Sequence, residues 1–233
     1  MNILITAGNT QAPIDRVRCI TNIFTGRTGA AIALEARRRG HAVTLLTSHP
    51  ETLPATQGIE CIAYRTFEDL RAQMSKRVNS ALQVVIHSAA VSDYLSSGIN
   101  AAAVGSHFDL DSLSWRGQPP TLVDRSASKV KSDAPELWLR LERAPKLIDL
   151  VRTDWGFRGF LVKFKLEVGV SDADLLTIAE KSRLQSDADW MVANTLEGAS
   201  EWAFLGSAQG YERIARAELP WRLLDAIEYA SEG

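Results

Sequence analysis

The sequence predicts an α/β fold built on a doubly wound, mostly parallel sheet. Its first residues, NILITA at 2–7, form a short apolar run that ends at Gly8, which is typical of a buried strand. Apolar residues then recur with helical spacing over 28–39, and this segment stops at Gly40. The run LQVVIHSAA at 82–90 is apolar almost throughout, as expected of a parallel strand that is covered on both faces.

The later elements repeat this order of strand and helix, which favours a doubly wound sheet. The pattern predicts strands at 41–47, 136–142, 160–164 and 189–193, and helices at 67–78, 146–152, 171–185 and 220–230. Pro145 fits the first position of the helix that includes 146–152. Residues 201–205 and 211–215 predict a small β-hairpin near the C-terminus.

One long segment interrupts the alternation of predicted strands and helices. Residues 95–128 are rich in Ser, Gly and Pro and have no sustained period, so we expect an irregular loop there. Loops of this length in compact domains are often lids or binding loops. We therefore predict a single domain over 1–233, with 95–132 as a flexible flap over an active site.

Composition excludes several classes of function. The 233 residues carry a formal net charge of −2, which gives no sign of the basic face that nucleic acid requires. No apolar run approaches the roughly 20 residues of a membrane helix. The N-terminus lacks the pattern of a secretory signal, and Cys19 and Cys61 are compatible with reduced thiols. We therefore expect a soluble, cytoplasmic protein.

The loop after the first strand differs from a dinucleotide-binding fingerprint. That fingerprint places its glycines within a few residues of the strand, whereas Gly26 lies far beyond Gly8. The next strand ends in Thr47-Ser48-His49, without the acidic residue that would hold a ribose. A nicotinamide cofactor is therefore not expected.

The helix that follows this loop nevertheless begins with features that suit phosphate. Gly26, Gly29 and the hydroxyl groups of Thr25 and Thr28 stand at its N-terminus. Free N–H groups and the helix dipole favour anions at such a position. From this segment alone, a phosphate site and a plain glycine turn are about equally supported.

Several motifs together resemble one family. They are TAGNTQAPIDRVRCITNIFTGRTG, HSAAVSDY, KVKS, ERAPKLIDLVR, KFKLE and MVAN, in that order along nearly the whole chain. With its motifs in this order, the chain resembles the phosphopantothenoylcysteine synthetases, which have a Rossmann-like fold. The resemblance is greatest to the free-standing bacterial form, which has no flavin domain. Each motif is weak by itself, and their shared order makes the match specific.

The resemblance implies a ligase of coenzyme A synthesis. Its family joins 4′-phosphopantothenate to cysteine through an acyl-nucleotide, using CTP, or ATP in eukaryotic members. It further implies Mg²⁺ bound mainly through the phosphates, no protein metal site, no flavin and a homodimer.

The resemblance also implies roles for individual residues. The catalytic residues would be Asn22, Arg18 and Lys129. The nucleotide would be bound by Gly8, Asp15, Thr25, Gly26, Gly29, Ala89, Ala90, Asp93, Lys129, Lys131, Phe164 and Asn194. Ser132 and Thr195 depart from the family pattern, since a lysine and an aspartate are usual there.

Other interpretations stay open. An NAD(P)-dependent short-chain oxidoreductase would share the fold, but no tyrosine here is followed four residues later by lysine. A non-catalytic nucleotide-binding relative is also compatible with the fold. Single residues have plainer explanations too: a lysine in a polar loop is usually solvated, and a phenylalanine at a strand end usually belongs to the core. His87 is expected to be a core histidine rather than a metal ligand.

Overall fold

The structure, a computed structural model, describes residues 1–53, 58–116 and 121–231. The strands are β1 (Asn2–Ala7), β2 (Gln11–Pro13), β3 (Cys19–Thr21), β4 (Ala42–Thr47), β5 (Ile59–Ala63), β6 (Val84–His87), β7 (Tyr94–Ala102), β8 (His107–Asp109), β9 (Ser114–Arg116), β10 (Leu122–Asp124), β11 (Trp138–Arg143), β12 (Phe160–Glu167), β13 (Trp190–Thr195), β14 (Trp202–Ser207) and β15 (Gly210–Ala215). The α-helices are α1 (Arg27–Arg38), α2 (Phe67–Arg77), α3 (Leu147–Thr153), α4 (Asp172–Gln185) and α5 (Leu219–Ser231), with 3-10 turns at Pro50–Thr52 and Arg216–Glu218.

These residues divide into two compact units, where the sequence predicted a single domain. Unit 1 contains Met1–Thr10 and the described parts of Ile23–Val91 and Lys146–Gly233. Unit 2 contains Gln11–Asn22 and the described part of Ser92–Pro145. Because unit 2 is assembled from two stretches that are distant in the chain, no linker marks it in the sequence.

Unit 1 contains the predicted doubly wound sheet. Its eight described strands have the order β15-β14-β13-β12-β6-β1-β4-β5. The pairs from β5 through β13 are parallel, whereas β14 and β15 pair antiparallel as the predicted hairpin. The chain runs outward from β1 to β4 and β5, then returns to β6 on the other side of β1. This reversal is the topological switch point where open α/β sheets bind ligands.

Helices cover both faces of this sheet. Ile32 of α1 and Leu223 of α5 share one apolar cluster with the strand residues Ile3, Ile5 and Val192. Leu175 of α4 belongs to another cluster, together with strand residues such as Met191 and Ala193 that alternate with Val192 along β13. Successive strand residues point to opposite faces, so both faces of the sheet are buried.

Local signals explain where the helices begin and end. Helix α1 buries Gly29, Ile32, Ala33 and Ala36, which have the spacing of one helical face. Thr66 and Asp69 form a capping box at the start of α2. Helix α3 begins at Leu147 after its N-cap Lys146, so Pro145 precedes the cap instead of occupying the first helical position as predicted. None of the described helices is long and apolar enough to cross a bilayer.

Unit 2 shows that the expected irregular segment contains strands. Strand β7 pairs with β10 and β11 in an antiparallel sheet, and β8 pairs with β9. The rings of Phe108, Trp115 and Trp138 pack together, with centroids 4.9–5.3 Å apart. The prediction of an irregular loop over 95–128 was therefore wrong. Strand β7 buries few residues and contains Ser-Ser-Gly, so its sequence lacks a clear alternation.

The start of α1 packs against the end of β1 at very short range. Gly26, the N-cap of α1, has a φ of 82°, in the left-handed region that favours glycine. A Cβ atom on Gly26 would lie 2.3 Å from the amide nitrogen of Gly8 and 2.9 Å from the carbonyl carbon of Ala7. A methyl group at this position would therefore displace the helix from the strand.

We predict that Gly26→Ala destabilises the protein more than Gly40→Ala does. Gly40 has a φ of 87°, but a Cβ there would meet no atom within 4 Å, so this control isolates the backbone cost. That cost is about 1–2 kcal/mol, and the clash at Gly26 should add about 1–3 kcal/mol. Urea unfolding followed by circular dichroism measures both losses. Equal losses would show that the close contact relaxes freely.

Candidate active site

In unit 1, predicted site residues meet at the switch point of the sheet. Gly8 follows β1, and Ser88, Ala89 and Ala90 follow β6. The amide of Ala90 donates to the carbonyl of Gly8 at 2.8 Å, and the hydroxyl group of Ser88 donates to the carbonyl of Thr6 at 2.7 Å. These bonds fix the backbone at the carboxyl edge between the two strands.

His87 supports this edge from within the core. Its Nδ1 atom lies 2.9 Å from Oγ1 of Thr6, and the side chain is buried. Burial, with a smaller contribution from the charge of Lys163, lowers the pKa of His87 to about 4. The imidazole is therefore neutral at neutral pH. Its hydrogen bond and burial agree with the expected core histidine.

The N-terminus of α1 lies at the same edge. A Cβ on Gly29 would approach the Cβ of Ala7 to 2.6 Å and the Oγ of Ser88 to 2.7 Å, so the first turn touches the ends of β1 and β6. No side chain caps this helix, and its first turn contains no acidic residue. By contrast, α2 and α4 are capped by Thr66 and Ser171 and carry acidic residues in their first turns. The N-terminal dipole of α1 is thus not compensated by a nearby carboxylate in its own first turn.

Phe164 and Asn194 lie on the sheet face that α1 and α5 cover. Phe164 packs against that apolar cluster, and its strand neighbour Val192 is a member of it. Asn194 is two residues beyond Val192 on β13 and shares its face, with only 6% of the residue exposed. Both residues occupy the carboxyl-terminal halves of their strands. Unit 1 therefore gathers Gly8, Thr25, Gly26, Gly29, Ala89, Ala90, Phe164 and Asn194 at one edge of the sheet.

Lys163 precedes Phe164 on β12 and points to the opposite face of the sheet. Its Nζ donates to the carbonyl of Ser182 at 2.9 Å and to the hydroxyl group of Ser186, which in turn donates to Asp149. Burial lowers the pKa of Lys163 to about 8, while Asp149 opposes the shift. This lysine ties β12 to α4 and is structural.

In unit 2, Asp15 and Arg18 form a clamp on the segment that carries the predicted lysines. Nη2 of Arg18 lies 2.6 Å from Oδ2 of Asp15 and also donates to the carbonyl of Val130 at 2.8 Å. The amide of Val130 donates to the same Asp15 oxygen at 3.0 Å. The Asp15 side chain has no exposed surface, and Val130 is buried. Val130 lies between Lys129 and Lys131, so the clamp fixes the backbone between them.

The remaining predicted residues of unit 2 are more accessible. Lys129, Lys131 and Asp93 are exposed, and Asn22 is half-buried. The carbonyl of Asp93 accepts a hydrogen bond from the amide of Ala144 at 2.8 Å. The structure thus assembles the predicted residues into two groups, one in each unit.

Two residues near the switch point had no signal in the sequence. The hydroxyl group of Ser48 accepts from the amide of Asn9 at 2.8 Å and donates to the Asn9 side chain, which holds the turn after β1. Arg216 donates through Nη2 to the hydroxyl group of Thr28 in the first turn of α1. Each contact joins residues that are far apart in the chain, so spacing along the sequence does not reveal it.

The clamp in unit 2 leads to a prediction about acid stability. Hydrogen bonds from Arg18 and from the amides of Val130 and Val17 hold the pKa of Asp15 far below its ordinary value of 3.8. A lowered pKa stabilises the fold at pH values above the unfolded pKa, and this stabilisation is lost as the pH falls towards the folded value. Asp15→Asn should therefore lower the melting temperature at pH 7, and the difference from wild type should shrink below about pH 4.

Thermal unfolding followed by circular dichroism between pH 7 and pH 3 measures this difference. Asp111→Asn, at an exposed aspartate of the same unit, is the matched control and should leave the profile unchanged. A gap between Asp15→Asn and wild type that stays constant with pH would contradict the clamp.

Comparison with known proteins shows what this chain is similar to. Residues 1–105 match the family model described as the DNA/pantothenate metabolism flavoprotein C-terminal domain. The coenzyme A biosynthesis bifunctional protein CoaBC of Thermococcus kodakarensis is 33% identical over 232 residues, which is 97% of this chain and 50% of that protein. The CoaBC of Escherichia coli K12 is 27% identical over 194 residues, covering 83% of this chain and 41% of that protein.

A solved structure agrees over the full length. The DNA/pantothenate metabolism flavoprotein from Streptococcus pneumoniae superimposes with a TM-score of 0.80 at 28% identity, covering 99% of each chain. The chain spans about half the length, or less, of the curated CoaBC relatives it matches. These matches confirm the resemblance to the phosphopantothenoylcysteine synthetases that the motifs indicated: residues 1–105 match the family model, and nearly the whole chain is similar to CoaBC and to the Streptococcus pneumoniae flavoprotein.

Proposed function

We propose that this protein is a ligase that joins 4′-phosphopantothenate to L-cysteine in coenzyme A synthesis, with MgCTP as its nucleotide substrate. Similarity to this family supports the reaction, and relatives that match most of the chain are named as coenzyme A biosynthesis proteins. One structural observation carries the proposal: α1 begins at the switch point without a carboxylate in its first turn, and glycines bring it against β1 and β6. Such a site suits the phosphates of a nucleotide.

The proposed reaction has two balanced steps. A carboxylate oxygen of 4′-phosphopantothenate attacks the α-phosphorus of CTP, and the bond to the β-phosphate breaks to release pyrophosphate. The amine of cysteine then attacks the acyl carbon, loses a proton, and displaces CMP as the amide forms. Both steps place negative charge on phosphate oxygens, so the protein must supply cations and hydrogen-bond donors.

The residues of unit 1 are proposed to bind the nucleotide. The amides at the start of α1, next to Gly26 and Gly29, would donate to phosphate oxygens. Ala89 and Ala90 leave the backbone after β6 open to close approach. Phe164 and Asn194, on the same sheet face, would contact the base or the ribose.

The residues of unit 2 are proposed to act on the reacting groups. Asn22 has a neutral amide, which donates to a carbonyl oxygen without acting as a base at neutral pH. Lys129 and Lys131 are exposed cations, and we propose that the described part of 95–132, which includes strands, carries them as a mobile flap. Arg18 already donates to Asp15 through Nε and Nη2, so we propose that it positions the lysine segment through Val130. Asp15 would then serve the nucleotide indirectly, by the same clamp.

Mg²⁺ enters this proposal with the nucleotide. Among the described residues, no group of three or more His, Cys, Asp or Glu side chains is arranged to hold a metal ion. We propose that the ion is coordinated mainly by phosphate oxygens and water, as is usual for Mg²⁺ with nucleotides. We further propose that the enzyme is a homodimer in the cytoplasm and uses no flavin.

A nucleotide comparison tests the function. The full chain is mixed with 4′-phosphopantothenate, cysteine, Mg²⁺ and either CTP or ATP, and pyrophosphate release and the ligated product are measured. We expect both products, with CTP giving the higher kcat/KM. Reactions without 4′-phosphopantothenate control for simple nucleotide hydrolysis. A higher kcat/KM with ATP would refute the choice of CTP, and no release with either nucleotide would refute the ligase.

Asn22→Asp tests the role of the neutral amide. The substitution keeps the size of the side chain but replaces the donor with a carboxylate, so the second step should slow by about 100- to 1000-fold while the first continues. Acid quenching and mass spectrometry should then detect an accumulated acyl-nucleotide. Asn79→Asp, in an exposed turn before β6, is the control and should ligate normally. Normal ligation by Asn22→Asp would rule out the proposed role.

A further inference from the structure

Arg216 is half-buried, and its guanidinium has an incomplete set of hydrogen bonds. It begins the 3-10 turn Arg216–Glu218 between β15 and α5, and its amide donates to the carbonyl of Glu201 at 2.8 Å. Its Nη2 donates to the hydroxyl group of Thr28 in α1. Its Nη1 atom is buried and has no hydrogen-bond partner among the described residues. A buried donor without a partner normally destabilises a folded protein.

Other shielded arginines of unit 1 have carboxylate partners. Arg39 pairs with Glu35, Asp225 and Glu228, at 2.7–2.8 Å. Arg152 pairs with Asp189, and Arg183 pairs with Glu180. Among the described residues, the side chain of Arg216 has the hydroxyl group of Thr28 as its hydrogen-bond partner and no carboxylate. Burial lowers the pKa of Arg216, but a guanidinium keeps its proton at neutral pH. Its charge is therefore not neutralised by the described part of the protein.

The surroundings of Arg216 add further positive potential. Strand β15 runs in the same direction as β13, because β14 is antiparallel to both, so β15 ends at the carboxyl edge of the sheet. Arg216 follows β15 directly and reaches the N-terminus of α1 at that edge. This first turn contains Arg27 and no acidic residue. A guanidinium next to a positive helix end is unfavourable unless an anion binds both.

We propose that Arg216 and the first turn of α1 together bind a phosphate group of a substrate. The inference rests on the proposed ligase function and adds a binding residue that the family motifs do not point to. Nη1 would donate to a phosphate oxygen, while Thr28 holds Nη2 and thereby orients the planar guanidinium. Amides at the start of α1 would donate to the same group.

Two substrates of the proposed reaction contain phosphate groups: the nucleotide has a triphosphate, and 4′-phosphopantothenate has a phosphomonoester. Calorimetric titrations of the full chain with inorganic tripolyphosphate plus Mg²⁺, and separately with 4′-phosphopantothenate, distinguish them. For Arg216→Gln we expect the Kd of at least one probe to rise about 10-fold or more, as for the loss of a charged hydrogen bond. The probe that weakens identifies the phosphate.

Arg213→Gln is the matched control. Arg213 lies on β15, pairs with Asp172 at 3.1 Å and stacks on Trp202, so its removal changes the net charge equally without touching α1. Its Kd values should stay at wild-type level. If Arg213→Gln weakens binding as much as Arg216→Gln does, or if Arg216→Gln leaves both Kd values unchanged, the proposal is overturned.

Stability separates ligand binding from a structural role. Because Arg216 carries an uncompensated charge, Arg216→Gln should melt at or above the wild-type temperature without ligand. It should also lose the rise in melting temperature that the bound probe causes in wild type. A lower melting temperature without ligand, with unchanged Kd values, would make Arg216 structural. If Arg216→Gln does not fold, Arg216→Lys replaces it, and a Kd that stays unchanged for both probes again overturns the proposal.

These titrations do not depend on turnover. Tripolyphosphate binding that requires Arg216, in a protein that releases no pyrophosphate, would retain the phosphate site and reject the ligase. If the wild-type protein ligates and Arg216→Gln binds both probes with full affinity, the ligase function is retained and the phosphate site at Arg216 is rejected.

Discussion

The close approach of α1 to β1 is the constraint on which the candidate site depends. Gly26 lets the helix begin directly over Gly8 and Ala7, and Gly29 lets its first turn reach Ser88 after β6. The same packing buries Ile32 against the strands and places the helix dipole at the switch point. Tight packing and the proposed anion binding therefore share one cause, which is the absence of side chains at two positions of one turn.

The parts of the fold that could be predicted are those with local signals. Strands β1 and β6 are short apolar runs, and α1, α2 and α4 have clear apolar spacing or caps, so the sheet of unit 1 was recognised. Strand β5 escaped prediction because its residues are mostly exposed or half-buried. Unit 2 escaped because β7 finds β11 about forty residues later in the chain, and pairing over such a distance leaves no local period.

The candidate site divides in the same way. Motifs pointed to Gly26, Ala89 and Lys129 because each of these residues lies in a short contiguous segment that resembles the family. They did not reveal that Asp15 and Arg18 hold Val130, more than one hundred positions away. They also missed Arg216, whose partner Thr28 is separated from it by 188 positions. Side-chain contacts of this kind arise from the tertiary fold and cannot be deduced from spacing.

Charged side chains that stabilise the fold are paired with opposite charges, whereas Arg216 at the candidate site has no such partner among the described residues. The Asp15 side chain has no exposed surface and accepts hydrogen bonds from Arg18 and backbone amides, while Arg39 pairs with three carboxylates. Those ion pairs and hydrogen bonds stabilise the folded protein without a ligand. Arg216 and the uncapped start of α1 face each other without a carboxylate among the described residues. Natural proteins accept such local costs mainly at functional sites, because a ligand then supplies the missing charge and its binding stabilises the fold. Affinity for phosphate and modest stability without it would follow from the same uncompensated charge.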